Sequence, residues 1–172
     1  MKPFAEIIAD LNADPRVIVL VGPPASGKST WRQSYQASTA RPAIVVSTDD
    51  LIDRYAAHNG MTYTEAFGKL KMEDLDATAI ATMRAALAAG QDVIIDRTNL
   101  RIKGRARFLS QVPKRYLRVA IVFNVPRDVL DQRLADRAAA TGKFIPKQVV
   151  DDMVKGYEYP TTDEFDLIEI LS

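Results

Sequence analysis

The chain has 172 residues, 47% of them hydrophobic, and 23 Lys plus Arg against 22 Asp plus Glu, which suits a single domain over residues 1–172 with a sizeable core. Cysteine is absent and His58 is the one histidine, so disulfide scaffolds, thiolate zinc sites, cysteine nucleophiles and histidine metal clusters are excluded. Any chemistry must rest on carboxylates, Lys, Arg and hydroxyls. No apolar run reaches the ~20 residues of a membrane span and Met1–Glu6 lacks a secretion signal's apolar stretch, so the expectation is a cytoplasmic protein with no membrane contact.

Phe4, Ile7, Ile8 and Leu11 recur at helical spacing before Asn12 and Pro15, predicting a short N-terminal helix within residues 1–14. Five short, β-branched, nearly continuous apolar runs then predict buried strands: Val17–Val21, Ala43–Ser47, Asp92–Asp96, Leu117–Phe123 and Leu167–Leu171. Runs of this kind are covered on both faces, and the segments between them are long enough for crossover helices. Helices are expected at Lys28–Ala37, Thr64–Ala89 with a break near Met72, Ile102–Val112, Arg127–Ala140 and Pro146–Tyr157. The fold class is therefore α/β: a five-stranded parallel sheet sandwiched by helices. Gly142 and the small residues before it make 138–143 the expected mobile segment.

The first strand runs directly into Gly22-Pro23-Pro24-Ala25-Ser26-Gly27-Lys28-Ser29-Thr30, which satisfies G-x-x-x-x-G-K-[ST] between a strand and a helix. The pattern resembles the phosphate-binding loop of P-loop NTPases and is expected to bind a nucleotide. Glycines let backbone N–H groups turn inward around phosphate oxygens, and the helix beginning at Lys28 adds the positive end of its dipole. Gly22, Ala25, Ser26 and Gly27 form the cradle. Lys28 is expected to reach the β- and γ-phosphates, Ser29 to bind magnesium, and Thr30 to add a contact towards the sugar. ATP and magnesium are the cofactors this pattern implies.

Ligands bind at the carboxyl ends of strands in such sheets. Ser47-Thr48-Asp49-Asp50 follows the second strand and Asp96-Arg97-Thr98-Asn99 ends the third. Asp49 is the candidate general base for an attacking hydroxyl, with magnesium ligation through water as a further role. Helix capping competes for the same segment, with Thr48, Asp49 or Asp50 as the cap. Asp96, after four apolar or acidic strand residues, reads equally as a Walker-B metal carboxylate, and Thr98 and Asn99 offer a hydroxyl and an amide to an acceptor. From Arg97 to Arg118 there are eight basic residues and no acid, leaving 15 basic against 22 acidic residues elsewhere. Such a stretch is expected either to meet a polyanion or to be a solvated face.

Four separated motifs carry a resemblance: the phosphate loop with Trp31, Ser47-Thr48-Asp49-Asp50, Asp96-Arg97-Thr98-Asn99-Leu100, and Val122-Phe123-Asn124-Val125-Pro126 followed by Arg133 and Arg137. From about Val17 onward the chain resembles the polynucleotide 5′-kinase family, as in the kinase modules of the T-even phage end-healing enzyme and animal polynucleotide kinase–phosphatases. Tyr157–Asp166 is similar to the animal enzymes' closing segment. The resemblance implies that Lys28 and Ser29 serve ATP and magnesium, that Asp49 is the base, and that Asp96 and Thr98 sit in the acceptor site. It also makes Arg137 an arginine acting on the γ-phosphate from a lid at about residues 131–147. Arg133 and Arg137, four apart, share a helix face, and a guanidinium fork suits charge on transferring phosphoryl oxygens. As a solvated helix the same stretch would pair these arginines with Asp131 and Asp136.

One position departs from the family. Phage members carry an acceptor-phosphate arginine two residues after the aspartate pair, where this chain has Ile52, with Arg54 two further on. Arg97, Arg101 or Arg105 is expected to take over phosphate binding. Arg54, Tyr55, His58 and Tyr63 are candidates to line an acceptor channel, with an aromatic ring available for stacking.

The leading expectation is an ATP- and magnesium-dependent kinase that moves the γ-phosphate to a hydroxyl on nucleic acid, most simply the 5′-hydroxyl of DNA or RNA. The alternatives are a kinase acting on the hydroxymethyl group of 5-hydroxymethyluracil within phage DNA, a small-molecule kinase of nucleosides or sugars, and a nucleotide-switch ATPase.

Overall fold

The computed structural model describes residues 15–172, so the helix expected within 1–14 lies outside the described residues. Five strands form one parallel sheet: β1 (Arg16–Val21), β2 (Ala43–Val46), β3 (Asp92–Asp96), β4 (Leu117–Phe123) and β5 (Leu167–Leu171), in the order β2-β3-β1-β4-β5. All β1 residues are buried, as expected for the central strand of a sheet covered on both sides.

Alternation along the strands divides the core in two. Val17, Val19, Val21, Val93 and Ile95 face Ala79, Met83 and Leu87 of α4 (Met72–Ala88) and Phe108 and Leu109 of α5 (Ile102–Leu109). Ile18, Leu20, Ile94, Val119 and Ile121 point the other way, onto Trp31 and Tyr35 of α1 (Lys28–Ser38). Each fully buried Ile or Val in these layers contributes about 1.5–3 kcal/mol.

The region after β2 differs from expectation. Ser47, assigned to the strand, is the N-cap of α2 (Thr48–Asn59), its Oγ accepting from the Asp50 N–H at 3.1 Å. Capping thus falls to Ser47 rather than to Thr48, Asp49 or Asp50. The helix closes on Gly60 in the left-handed region. The helix expected over 64–89 is two helices, α3 (Tyr63–Lys69) and α4, parted by extended Leu70 and Lys71. A capping box of Thr62 and Glu65 starts α3. Ile52, Ala56, Ala66 and Leu75 join α2, α3 and α4 in a small third core. The position occupied by a phosphate-binding arginine in phage kinases is therefore an apolar packing position here, with Ile52 1% exposed.

Helices α6 (Arg127–Thr141) and α7 (Lys147–Lys155) complete the chain before β5. Arg127 pairs with Asp131 on its own helix at 2.7 Å and with Asp151 on α7. Helix α5 stops at Leu109, three residues short of the expected end, because Ser110–Val112 turn tightly. Among the described residues no helix is long and apolar enough to cross a membrane.

Part of the acid-free basic stretch is paired with acids from elsewhere: Arg97 and Arg107 with Asp76, and Arg105 with Glu164. Arg105, a candidate phosphate ligand on sequence grounds, is 1% exposed; it holds Glu164 through Nε (2.8 Å) and Nη2 (2.7 Å) and the carbonyls of Asn99 and Glu158 through Nη1. It pins the 156–164 segment to α5 and is unavailable to a ligand. Arg118 donates from Nη2 to the Val112 carbonyl, and its backbone N–H donates to Asp166.

Candidate active site

The site is assembled at the carboxyl ends of β1, β2 and β3. The phosphate loop leaves β1 at Gly22, whose N–H donates to the Thr98 carbonyl at 3.0 Å and so ties the loop to the end of β3. A Cβ on Gly22 would lie 2.6 Å from Ser26 Oγ and 2.9 Å from Phe123 Cβ, so only glycine fits. Ala25 (φ 62°) and Gly27 (φ 100°) take left-handed backbone, the geometry that turns successive N–H groups into one concavity. Gly27 then starts α1, aiming the helix's positive end at the same point. This cradle fits a triphosphate.

Lys28 lies inside it. Its Nζ donates to the carbonyls of Gly22 (2.9 Å) and Pro23 (2.6 Å) and to Ser26 Oγ (3.4 Å). Burial lowers its pKa to about 8; the Asp96 and Asp49 carboxylates pull it up and the Arg137 guanidinium pushes it down. Three predicted residues from three different elements thus act on one ammonium.

A pH dependence follows. The free protein loses the Lys28 proton from about pH 8 upward, whereas a bound triphosphate needs the ammonium. ATP affinity is therefore expected to fall up to about tenfold per pH unit above 8, and the Lys28→Met variant to bind weakly without that slope. The linkage to stability has the opposite sense: between pH 8 and 10.5 the unfolded chain binds a proton that the folded one does not, so stability rises across that window. Nucleotide titrations from pH 7 to 9.5 check this, and a flat wild-type profile would remove Lys28 from the phosphate contacts.

Asp49 is exposed in the first turn of α2, where its Oδ1 accepts from the Tyr63 hydroxyl at 2.9 Å. Burial, and then the adjoining Asp49 carboxylate, push the Tyr63 phenol up, so it remains a donor throughout the working pH range. Asp50 is turned aside and pairs with Arg32 (2.9 Å). The same Arg32 Nη1 meets Asp96 Oδ2 at 3.0 Å. Burial raises the Asp96 pKa against the opposing pull of Arg32 and Lys28.

The other predicted residues separate into groups. Arg133 reaches the loop from α6: its Nη1 lies 4.0 Å from where a Cβ on Gly27 would be. Asp131 and Asp136, the acids offered as partners for Arg133 and Arg137, are engaged by Arg127 (2.7 Å) and Gln132 (2.9 Å). Ser29 and Thr30 stand exposed in the first turn of α1. Thr98 is half-buried beside the loop. Asn99, expected to face an acceptor, has φ 50° and donates its amide to the carbonyls of Leu20 (2.8 Å) and Ile95 (3.3 Å), which gives it the task of joining β1 to β3. Arg97 pairs with Asp76 of α4 and lies 4.8 Å over the Phe108 ring. Arg54 and Arg101 are exposed, on α2 and just before α5.

Two contributors escaped sequence reasoning. Arg32 is four residues after Lys28 and so shares its helix face, a spacing that could have found it. Lys143, after α6, pairs with Asp53 of α2 at 2.6 Å and lies 4.2 Å over the Tyr63 ring, a contact no local pattern announces.

Among the described residues no three acidic or histidine side chains converge as a metal cluster. The Ser29 hydroxyl with the Asp49 and Asp96 carboxylates suits magnesium, which takes few protein ligands and completes its shell with phosphate oxygens and water.

Comparison with known proteins places these residues in context. An AAA domain family matches residues 17–160. A transcription factor of Arabidopsis thaliana, bHLH140, is 28% identical over 151 residues, covering 86% of this chain; the chain spans only 15% of that relative's length. The structure of the Pnkp1/Rnl/Hen1 RNA repair complex superposes with a TM-score of 0.70 at 26% identity, covering 91% of this chain and 49% of the other. A putative kinase from Chloroflexus aurantiacus, at 16% identity and a TM-score of 0.69 over 93% of this chain and 86% of its own, shares the fold.

Proposed function

Because the chain belongs to this AAA domain family, in its P-loop kinase form, we propose that it is an ATP-dependent kinase whose acceptor is a hydroxyl on nucleic acid, most simply a 5′-hydroxyl end. The observation that carries the reading is the Asp49 carboxylate fixed by the Tyr63 hydroxyl at 2.9 Å just beyond the carboxyl end of β2, with Lys28 held inside the phosphate loop by the Gly22 and Pro23 carbonyls. Asp49, oriented by the Tyr63 phenol, is suited to accept the proton of an attacking hydroxyl. The 26% identity to a chain of an RNA repair complex supports nucleic acid as the carrier of that alcohol.

In this reading the 22–30 loop and Lys28 grip the triphosphate and Ser29 and Asp96 hold magnesium, which when bound supplies neutralising charge on the transferred group. Asp49 accepts the proton of the attacking hydroxyl, while Arg133 and Arg137 bind phosphate oxygens from α6. The lid would comprise the end of α6 and the loop to Pro146. Catalysis is then mostly positioning and charge stabilisation, as phosphoryl transfer requires.

Incubation with γ-labelled ATP and a panel of acceptors tests it. Label is expected in DNA or RNA bearing 5′-hydroxyls, and digestion to nucleotides separates a terminal phosphate from one on a modified base. Label only in a sugar or nucleoside, or only in free phosphate, would replace the proposal with a small-molecule kinase or an ATPase.

A further inference from the structure

Behind Thr98, a cleft of about 800 Å³ opens between α4, α5 and α7. This is the size of a site for a drug-sized molecule rather than a lone anion. Arg97, Arg101, Lys103 and Arg107, four of the eight cations in the acid-free stretch, line it. Three carboxylates also line it, so four cations face three anions and the lining keeps one positive charge in excess. Glu158 Oε2 accepts from the Ile102 N–H at 2.9 Å, and Asp152 Oδ1 accepts from Gln148 at 3.0 Å. Buried Asp76 gives Oδ1 to Arg97 and Oδ2 to Arg107.

That last arrangement decides the chemistry. Two guanidiniums share one buried carboxylate, so one positive charge there is uncompensated. Each fork spends one nitrogen on Asp76 and keeps donors for another partner, and the Phe108 ring fixes the plane of Arg97. Arg101 lays its guanidinium across Gly156, where a Cβ would come within 1.6 Å of Nη2. Arg97, Arg101 and Arg107 are thus pre-placed, which lowers the ordering cost of binding an anion.

We propose that this cleft is a track for the phosphodiesters of a single-stranded acceptor, with Arg97 and Arg107 on one phosphate and Arg101 and Lys103 on another. The inference rests on the kinase reading for its direction. A hydroxyl beside Asp49 belongs to a nucleotide whose chain must leave the site, and Thr98 belongs both to the anchor of the phosphate loop and to the cleft wall. The cleft lies between α4, α5 and α7, and the strand proposed to enter it does so by its backbone alone.

The test is anisotropy of a fluorescent 5′-hydroxyl single strand over a salt series without ATP, beside label transfer to that strand and to a nucleoside 3′-monophosphate. Arg107→Ala and Lys103→Ala remove exposed side chains and leave Asp76 paired with Arg97, so both variants should fold. Each is expected to weaken strand binding about tenfold and to lower the salt slope by about 0.7. The KM for the strand should rise, while those for ATP and the mononucleotide stay put. Unchanged binding and slope in both variants would overturn the track even if label is transferred. Equal competition by duplex would overturn the single-strand assignment. Strand binding that depends on Arg107, with label transferred to no acceptor, would uphold the track and sink the kinase reading instead.

Discussion

Asp49→Asn is expected to leave ATP binding intact and to cut turnover by about 10²–10⁴-fold, the range that general-base catalysis contributes. The substitution is a clean probe because the side chain is exposed, so no core packing changes, and because an amide oxygen can accept the Tyr63 hydrogen bond as the carboxylate does at 2.9 Å. Geometry survives and proton acceptance is lost. Tyr63→Phe makes the converse change, keeping the base and freeing its orientation. It should cost about tenfold in kcat with little effect on the KM for ATP, the signature of a positioning residue. If Asp49 were merely a first-turn acid on α2, its removal would register in stability alone, as about 0.3–1 kcal/mol from the helix dipole, and turnover would be preserved. Steady-state kinetics beside a thermal melt separate the two cases.

How far the sequence reveals this site follows from which forces are local. The strands were readable because burial on both faces demands continuous apolar, β-branched runs, and all five fall within one residue of their expected ends. The phosphate loop was readable because backbone sterics at Gly22 and Gly27 leave little choice of residue. That Ile52 and Ala56 of α2 pack with Ala66 and Leu75 of α3 and α4 is not legible, because a one-dimensional pattern does not display which helices meet. The same limit affected the basic stretch. Arg105 and Arg97 look alike in sequence, yet one is sealed against Glu164 and the other lines a cleft. What separates them is Asp76 and Glu164, 21 and 59 residues away along the chain. Asn99 has a second task that its position in the chain does not announce: its amide nitrogen joins β1 to β3 while the residue also lines the cleft.

Arg137→Ala is expected to lower kcat on the order of 10³-fold, the lower end of what an arginine aimed at a transferring phosphoryl group supplies, with a far smaller change in ATP affinity. The asymmetry follows from where charge develops. In the ground state the triphosphate is already gripped by the loop, its N–H groups and Lys28, so one more cation adds little to binding. In the transition state, charge spreads over the equatorial oxygens, where the proposed mechanism places the planar fork of Arg137. Arg137 acts electrostatically on both Lys28 and Tyr63, while Asp131 on its own helix is paired with Arg127. The helix is held over the site at its far end, where Lys143 bridges to Asp53 and to the Tyr63 ring. Arg137→Lys should recover little, since an ammonium carries the charge without the fork. Lys143→Ala, which loosens the tether while leaving the arginine in place, should raise KM and lower kcat together and by less. An unchanged kcat in Arg137→Ala would return the arginine to the solvated face of α6 and leave Arg133, beside Gly27, as the cation to test next.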